Sequence, residues 1–280
     1  MFIPRIWAKA DAEVPTPDRR VLPLVAWGWG NDEDEARREA ESRLERLSER
    51  VRRGDPFPPR GYEYGDRPIR EEIVQVIGPE TEPRAVLTRN RYGATVMNAP
   101  RLLFLDIDLP EGADRPAILG KLFGMRTAEA KALDALRAAL AAAGKGAFRI
   151  YRTAAGFRAL APGREFDPAG REAQDLMKAT GTDPWFVRLC LAQKSFRARL
   201  TPKPWRIDMK APPGEHPRDE GEASERFAAW LAEYERASQG YATCRFLETV
   251  GKGGFVGSDD HDLVDLHDRT TRATESLPLA

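Results

Sequence analysis

The order of apolar and polar residues divides the start of the chain into two strands and a helix. Apolar residues alternate over residues 3–8 and 22–29, which predicts two strands. A helix is predicted to begin near Asn31, with acidic residues in its first turn and arginines in its last, as the helix macrodipole favours. Proline and glycine concentrate in residues 55–68. We therefore expect an N-terminal strand-helix unit over residues 1–60.

The rest of the chain alternates between strand and helix patterns. Strands are predicted at residues 85–88, 94–98, 102–108, 148–153, 157–161 and 241–250, an extended segment at 195–208, and helices at 127–143, 169–179, 184–192 and 222–238. The run at 102–108 is continuously apolar, as in a buried central strand. This mixture predicts an α+β fold, a mixed sheet with flanking helices. We expect the core domain over residues 61–250, followed by a glycine-rich connector and an acidic tail over residues 251–280.

Composition places the chain among globular proteins. It has 280 residues, of which 41% are hydrophobic and 31% charged. Its two cysteines form no CxxC or Cys/His cluster, so a disulfide framework and a structural zinc site have no support. The start of the chain has no basic and apolar leader pattern, and no apolar run is long enough for a membrane helix. These features predict a cytoplasmic protein without a membrane partner and leave its oligomeric state open.

The net charge of zero is an average over segments of opposite sign. The 44 basic residues balance 44 acidic ones. Residues 185–210, however, contain seven basic residues and one acidic residue, whereas residues 215–235 contain two basic and seven acidic residues. Residues 84–101 contain four basic residues and no acidic one. The balance excludes a uniformly basic protein, but it does not exclude a ligand that carries phosphate.

Asp106 and Asp108 form the sharpest local motif because they end the apolar strand. Residues i and i+2 of a strand point to the same face, so both carboxylates are expected to converge there. Adjacent carboxylates repel unless a cation lies between them. A Mg²⁺ or Mn²⁺ ion held by the two aspartates and by substrate phosphates would remove that repulsion. The alternative is that the strand ends in water and both aspartates are solvated.

Later residues extend this candidate site. Arg152 and Arg158 flank the small-residue turn of the predicted hairpin, where an anion can be received. Arg197 and Arg199 alternate onto one face of the next extended segment, a pattern typical of a strand that lines a phosphate site. Asp208 follows an apolar residue and is a candidate third carboxylate. A charged strand edge that faces solvent explains the two arginines of that segment equally well.

The order of these motifs resembles that of the archaeo-eukaryotic primase superfamily. The matching motifs are Leu105-Asp-Ile-Asp108, Thr153-Ala-Ala-Gly-Phe-Arg158 and Ile207-Asp208, within residues 84–250. The resemblance implies a primase-like core of the RRM type, a metal held by the three aspartates, and phosphate bound by the four arginines. Arg158 stands where the family has a histidine that contacts the incoming nucleotide. Arginine can still bind phosphate, but it does not titrate near neutral pH.

Three function hypotheses follow from these residues. The first is a primase/polymerase-like nucleotidyl transferase, or a diverged relative that binds nucleotide or single-stranded nucleic acid, with Mg²⁺ or Mn²⁺ as its cofactor. The second is a non-catalytic module that binds nucleic acid or protein. The third is a metal-dependent phosphate-ester hydrolase. His261 and His267 lie among aspartates, and we interpret that segment as a solvated C-terminal helix rather than as a second metal site.

Overall fold

The computed structural model describes residues 1, 3–56, 68–110, 127–144, 146–252 and 260–280. The chain divides into two compact units, one spanning Phe2–Glu72 and the other spanning Ile73–Ala280 together with Met1. The first unit extends beyond the residue 60 expected from the sequence. Residues 260–280 lie in the second unit, with the residues of the expected core domain.

The N-terminal unit is a two-stranded antiparallel sheet that packs against one helix. Its elements are β1 (Ile6–Pro15), β2 (Val21–Gly30) and α1 (Glu33–Arg53). The Asp32 side chain accepts a hydrogen bond from the Glu35 backbone N–H and caps the helix, as its acidic first turn predicts. A Cβ at Gly28 would lie 2.1 Å from the Ala40 nitrogen, so glycine allows α1 to lie directly against β2.

Two four-stranded sheets organise the second unit. The strands, in chain order, are β3 (Glu72–Ile77), β4 (Ala85–Arg89), β5 (Thr95–Ala99), β6 (Leu103–Asp108), β7 (Gly146–Thr153), β8 (Gly156–Ala161), β9 (Phe196–Arg199) and β10 (Cys244–Lys252). One sheet has the order β10-β7-β8-β6, and the other has the order β3-β4-β5-β9. The pairing of β7 with β8 confirms the predicted hairpin.

Helices alternate with these strands along the chain and establish the predicted mixed α+β class. They are α2 (Ala128–Ala142), α3 (Arg171–Ala179), α4 (Pro184–Gln193), α5 (Glu222–Ser238) and α6 (His261–Thr271), with a short 3₁₀ helix at Pro204–Arg206. The Thr127 hydroxyl accepts a hydrogen bond from the Ala130 N–H and caps α2 at the residue where the predicted helix begins. Among the described helices, none is long and apolar enough to cross a membrane.

Strand β6 is buried although it ends its sheet, which corrects the expectation of a central strand. Phe104 and Leu105 are each 1% exposed. Strand β8 pairs with one side of β6, and on the other side the Asp183 backbone N–H donates a hydrogen bond of 3.0 Å to the Asp106 carbonyl oxygen. Strand β9 also contacts β6. The apolar run therefore predicted burial correctly, but it did not reveal which backbone groups cover the second edge.

The extended segment expected over residues 195–208 is only partly a strand. β9 ends at Arg199, and Pro204 begins the 3₁₀ helix, because proline sets a helical φ and has no N–H to contribute to a sheet. Asp208 follows in a turn with φ of +57°. The apolar-Asp motif therefore does not lie at the end of a strand.

The C-terminal helix is packed into the protein, which corrects the expectation of a solvated tail. Leu263, Val264 and His267 of α6 are 2% exposed or less. Leu263 and Val264 join the main hydrophobic core of the second unit. His261, by contrast, lies at the surface and pairs with Asp265 at 3.0 Å. The helix is amphipathic, and its many aspartates concealed the apolar face.

Candidate functional site

The two aspartates of β6 lie together at the end of the strand. Asp106 pairs across the ladder with Arg158 and Asp108 pairs with Gly156, so both carboxylates share one face of the sheet. Burial raises the pKa of Asp108, and the negative charges of Asp106 and Asp183 raise it further. The fold thus holds like charges close together, as the sequence motif predicts.

Asp183 brings a third carboxylate to this face. Its backbone N–H bonds the Asp106 carbonyl, and its side chain caps α4 by accepting a hydrogen bond of 3.0 Å from the Phe186 N–H. The sequence predicts the start of a helix at Pro184, but it does not connect that helix to β6. The Asp183-Pro184 pair carries a helix-start signal only. Its position beside Asp106 depends on a contact between residues far apart in the chain.

Replacing Asp108 by asparagine is expected to stabilise the protein. Because the folded state raises the pKa of Asp108, ionising this carboxyl costs more in the folded than in the unfolded chain. The penalty is absent below the ordinary aspartate pKa, grows as pH rises through the raised value, and is complete above it. Urea unfolding should therefore show a higher midpoint for Asp108→Asn at pH 7.5 and a smaller gain near pH 4.

The matched control for this prediction is Asp175→Asn. The Asp175 side chain is 70% exposed on α3, where its partner Arg171 is exposed as well. Surface pairs of this kind contribute little to stability, so the substitution is expected to change the free energy of unfolding by less than about 1 kcal/mol. An Asp108→Asn variant that is less stable than the wild type at pH 7.5 would contradict the proposed repulsion.

Arg158 faces these carboxylates from β8. It is cross-strand partner to Asp106 and is only 4% exposed. Its Nη1 donates a hydrogen bond of 3.0 Å to the Arg199 carbonyl oxygen and lies 3.2 Å from His267 Nε2. The guanidinium is therefore fixed between β9 and α6. A permanent cation stands at the position where the resemblance implies a histidine.

More cations follow on β9 and on the segment after it. Burial lowers the pKa of Arg199 to about 10, and the positive charges of Arg158 and Arg206 contribute to that change. Burial also lowers the pKa of Lys203, and the positive charges of Arg199 and Arg206 lower it further. In the part of the chain that the structure describes, no carboxylate oxygen lies within 4.0 Å of the charged nitrogens of Arg158, Arg199, Lys203 or Arg206. We call these four side chains the cation cluster.

The cation cluster lies close enough to the carboxylates to influence them. Lys203 and Arg206 lower the pKa of Asp108 against the effect of burial. Asp106 acts in the opposite direction on Arg199 and favours its charged form. Carboxylates that repel one another therefore face cations that repel one another, with no ion pair between the two groups. A phosphate on the cations and a divalent ion on the carboxylates would relieve both repulsions.

Two of the predicted phosphate ligands, Arg152 and Arg197, are not part of the cation cluster. Arg152 is adjacent to Tyr151, the partner of Arg158, so its side chain lies on the opposite face of the sheet. There its Nε binds Glu129 at 2.5 Å. Arg197 is 8% exposed and acts electrostatically on the buried Cys190, whose pKa burial raises to about 12. Burial of Arg197 is inconsistent with the alternative of a solvent-facing charged edge.

The three-aspartate metal set is not assembled around Asp208. This residue is exposed in the turn after the 3₁₀ helix. Over the described ranges, no group of three or more His, Cys, Asp or Glu side chains is arranged to hold a metal ion. Asp106 and Asp108 alone still fit Mg²⁺ or Mn²⁺, since such ions commonly take one or two carboxylates and complete their shell with water and phosphate.

A buried network supports Arg158 from α6. His267 is 0% exposed, and its Nδ1 lies 2.9 Å from Asp268 Oδ1. The same oxygen accepts a hydrogen bond of 2.7 Å from the Tyr151 hydroxyl, and Arg149 forms an ion pair with Asp268. We call these four residues the α6 network. The sequence does not reveal this network, because the histidine lies among aspartates that indicate a solvated surface.

The site thus comprises the carboxylates of Asp106, Asp108 and Asp183, the cation cluster, and the α6 network beside Arg158. Comparisons with protein-family models, with curated proteins and with solved structures found no match to this chain.

Proposed function

We propose that the second unit is a nucleotidyl transferase of the primase/polymerase type, or a diverged relative that retains its nucleotide site. The site binds a nucleoside triphosphate together with Mg²⁺ or Mn²⁺. The observation that carries the proposal is the opposition of Asp106 and Asp108 to the cation cluster without ion pairs between them. The grouped carboxylates and the grouped cations are each unfavourable alone. In a metal-triphosphate complex, the metal would neutralise the carboxylates and the phosphates would neutralise the cations.

The triphosphate would lie on the cation cluster. Arg199 and Arg206 present guanidinium groups, which bind phosphate oxygens through paired N–H donors, while Lys203 adds a compact charge. Arg158 is held rigidly by the Arg199 carbonyl and by His267, so little side-chain entropy is lost when it receives an anion.

Asp106 and Asp108 would hold the divalent ion against the phosphates. When bound, the ion supplies charge neutralisation for the phosphates and for the attacking hydroxyl. In the transfer step, the oxygen of a nucleotide hydroxyl forms a bond to the α-phosphorus, the bond from that phosphorus to the β-phosphate oxygen breaks, and pyrophosphate leaves. The hydroxyl proton passes to water. The residues of this chain position the phosphates for that in-line attack and stabilise the charge of the leaving group.

Calorimetry with Mn²⁺ and ATP tests the proposal. The wild type is expected to bind ATP in the presence of Mn²⁺, and the double variant Asp106→Asn, Asp108→Asn is expected to lose at least about a hundredfold in affinity, since two of the metal's ligands are removed. Asp175→Asn serves as the matched control, because the Asp175 side chain is 70% exposed on α3 and is not part of the proposed site, and this variant should bind ATP as the wild type does. Circular dichroism checks that the double variant remains folded.

Unchanged ATP binding by the double variant would refute the metal site. Where binding is confirmed, the reaction is resolved by its products. Incorporation of labelled nucleotide into a primer with release of pyrophosphate supports transfer. Release of inorganic phosphate from ATP without incorporation supports the phosphate-ester hydrolase instead, and binding without turnover supports a relative that retains only the nucleotide site.

A further inference from the structure

An exposed aromatic side chain stands beside the cation cluster. Trp205 of the 3₁₀ helix is 50% exposed, although it is the largest apolar side chain of its segment. It lies directly between Pro204 and Arg206 in sequence, and the adjoining Lys203 and Arg206 both act on Asp108. An apolar surface left in water beside a charged site is typical of a place where a ligand with an apolar part binds.

The position of the Trp205 ring is fixed by its neighbours. The Tyr92 ring meets it edge to face, with 4.9 Å between ring centroids and an interplanar angle of 89°. Lys203 Nζ lies 5.5 Å from the Trp205 centroid. Tyr92 is itself held in the turn after β4, because its backbone N–H donates to Asn90 Oδ1 at 3.0 Å. The indole is therefore pre-organised, and less entropy is lost when a flat ligand stacks on it.

Cations surround this aromatic pair. Arg91 Cζ lies 4.7 Å from the centroid of the Tyr92 ring, and Lys203 lies against the Trp205 ring. An aromatic ring combined with cations that track a phosphate chain is the pattern that binds nucleotides by base stacking. A simple inorganic anion would use the cations and leave the indole unused.

We propose that Trp205 is the stacking surface for the base of the nucleoside triphosphate. This inference rests on the proposed function and adds the base to a site otherwise defined by phosphate and metal. The triphosphate lies on Arg199, Lys203 and Arg206, and the sugar spans the short distance from Lys203 to the indole. Stacking uses the face that every base possesses, so the site accepts purine and pyrimidine nucleotides alike.

The test compares a ligand with a base to one without. ATP and tripolyphosphate, each with Mn²⁺, are titrated into wild type, Trp205→Ala and Trp205→Phe. Loss of a base-aromatic stack is expected to weaken ATP binding by about tenfold or more in Trp205→Ala. Tripolyphosphate affinity is expected to change by less than about twofold, because its binding uses only the cations and the metal. Trp205→Phe should recover most of the ATP affinity.

A second exposed tryptophan provides the comparison. Trp185 is 53% exposed on α4, next to Asp183, and lies under Arg188 with 5.1 Å from Cζ to the ring centroid. Trp185→Ala is expected to leave ATP affinity unchanged. A loss confined to Trp185→Ala would overturn the assignment of Trp205, as would an equal loss of ATP and tripolyphosphate in Trp205→Ala.

The remaining outcomes separate this inference from the proposed function. If wild type binds tripolyphosphate and ATP with equal affinity and Trp205→Ala changes neither, the metal-phosphate site stands and the stacking surface is refuted. If Trp205→Ala weakens a single-stranded oligothymidylate but not ATP, the indole binds nucleic acid and the assignment to the nucleotide base is wrong. If wild type binds neither ATP nor tripolyphosphate, both proposals fail.

Discussion

Replacing Asp268 by alanine is expected to destabilise the protein by about 3–5 kcal/mol, the cost of leaving one member of a buried ion pair without its partner. The Asp268 and Arg149 side chains are only 15% and 14% exposed. The carboxylate also accepts hydrogen bonds from the Tyr151 hydroxyl and lies within hydrogen-bond distance of His267 Nδ1. Removing it therefore disrupts the whole α6 network rather than a single contact.

The contribution of the Asp268 carboxylate to stability is also expected to depend on pH. Burial by itself would raise the pKa of Asp268, but hydrogen bonds from His267 and Tyr151 and the charge of Arg149 outweigh it, and the net result is a lowered pKa. A lowered carboxyl pKa contributes stability above the ordinary aspartate value, and that contribution is lost as pH falls through the folded value. The stability difference between wild type and Asp268→Ala should therefore narrow on acidification.

Urea unfolding at pH 7.5 and at pH values below the ordinary aspartate pKa measures both effects, and Asp265→Ala is the matched control. Asp265 lies on the same helix, but its side chain is 59% exposed and pairs with His261 at the surface. That exposed pair is expected to contribute less than about 1 kcal/mol. A cost of Asp268→Ala as small as that of Asp265→Ala would show that the α6 network does not stabilise the fold.

Replacing Gly156 by alanine is expected to cost about 3 kcal/mol and to weaken ATP binding, because this glycine determines how closely β8 approaches the end of β6. A Cβ at Gly156 would lie 1.9 Å from the Ile107 carbonyl oxygen and 3.1 Å from the Asp108 Cα. Both neighbours are backbone atoms, so relief requires the strands to separate. Overpacking of this kind typically costs about 1–3 kcal/mol, and here the displaced strand carries Asp106 and Asp108, the aspartates of the proposed metal site.

Gly240→Ala is the appropriate comparison for Gly156→Ala. Its added Cβ would meet only the Ala237 carbonyl oxygen at 3.7 Å, an ordinary contact. That substitution is expected to leave unfolding and ATP binding close to those of the wild type, with a small gain from the reduced freedom of the unfolded chain. Equal unfolding midpoints for the two variants would mean that the β6–β8 approach tolerates a methyl group.

The hairpin illustrates how far local sequence could lead toward the site. Asp106 and Asp108 were predictable as a pair because strand geometry places residues two apart on one face. The small-residue turn before Phe157 predicted the hairpin, and the structure explains why a glycine is needed there. The direct pairing of Asp106 with Arg158 depends on the register between β6 and β8, which the turn of the neighbouring hairpin does not set.

The surroundings of the arginines could not be predicted from the local sequence. Arg152 and Arg158 are equally basic and lie in the same hairpin, yet one binds Glu129 on the opposite face and the other joins the cation cluster. Arg197 is likewise buried and Arg199 is partly buried, whereas the arginines of a solvent-facing edge strand would be exposed. Charge pattern identifies which residues are basic, whereas the packing of helices on each sheet face determines which of them lose solvent and which meet a carboxylate.

The sequence by itself determined most of the secondary structure, the α+β class and the local carboxylate pair, because hydrophobic period, caps and strand alternation act over a few residues. Only the tertiary structure decided that Asp183 joins Asp106, that His267 supports Arg158, and that Asp208 stays apart in an exposed turn. These outcomes depend on contacts between residues far apart in the chain, such as Asp183 with Asp106 and His267 with Arg158. Such contacts form because apolar faces bury one another, and no local pattern encodes which faces meet.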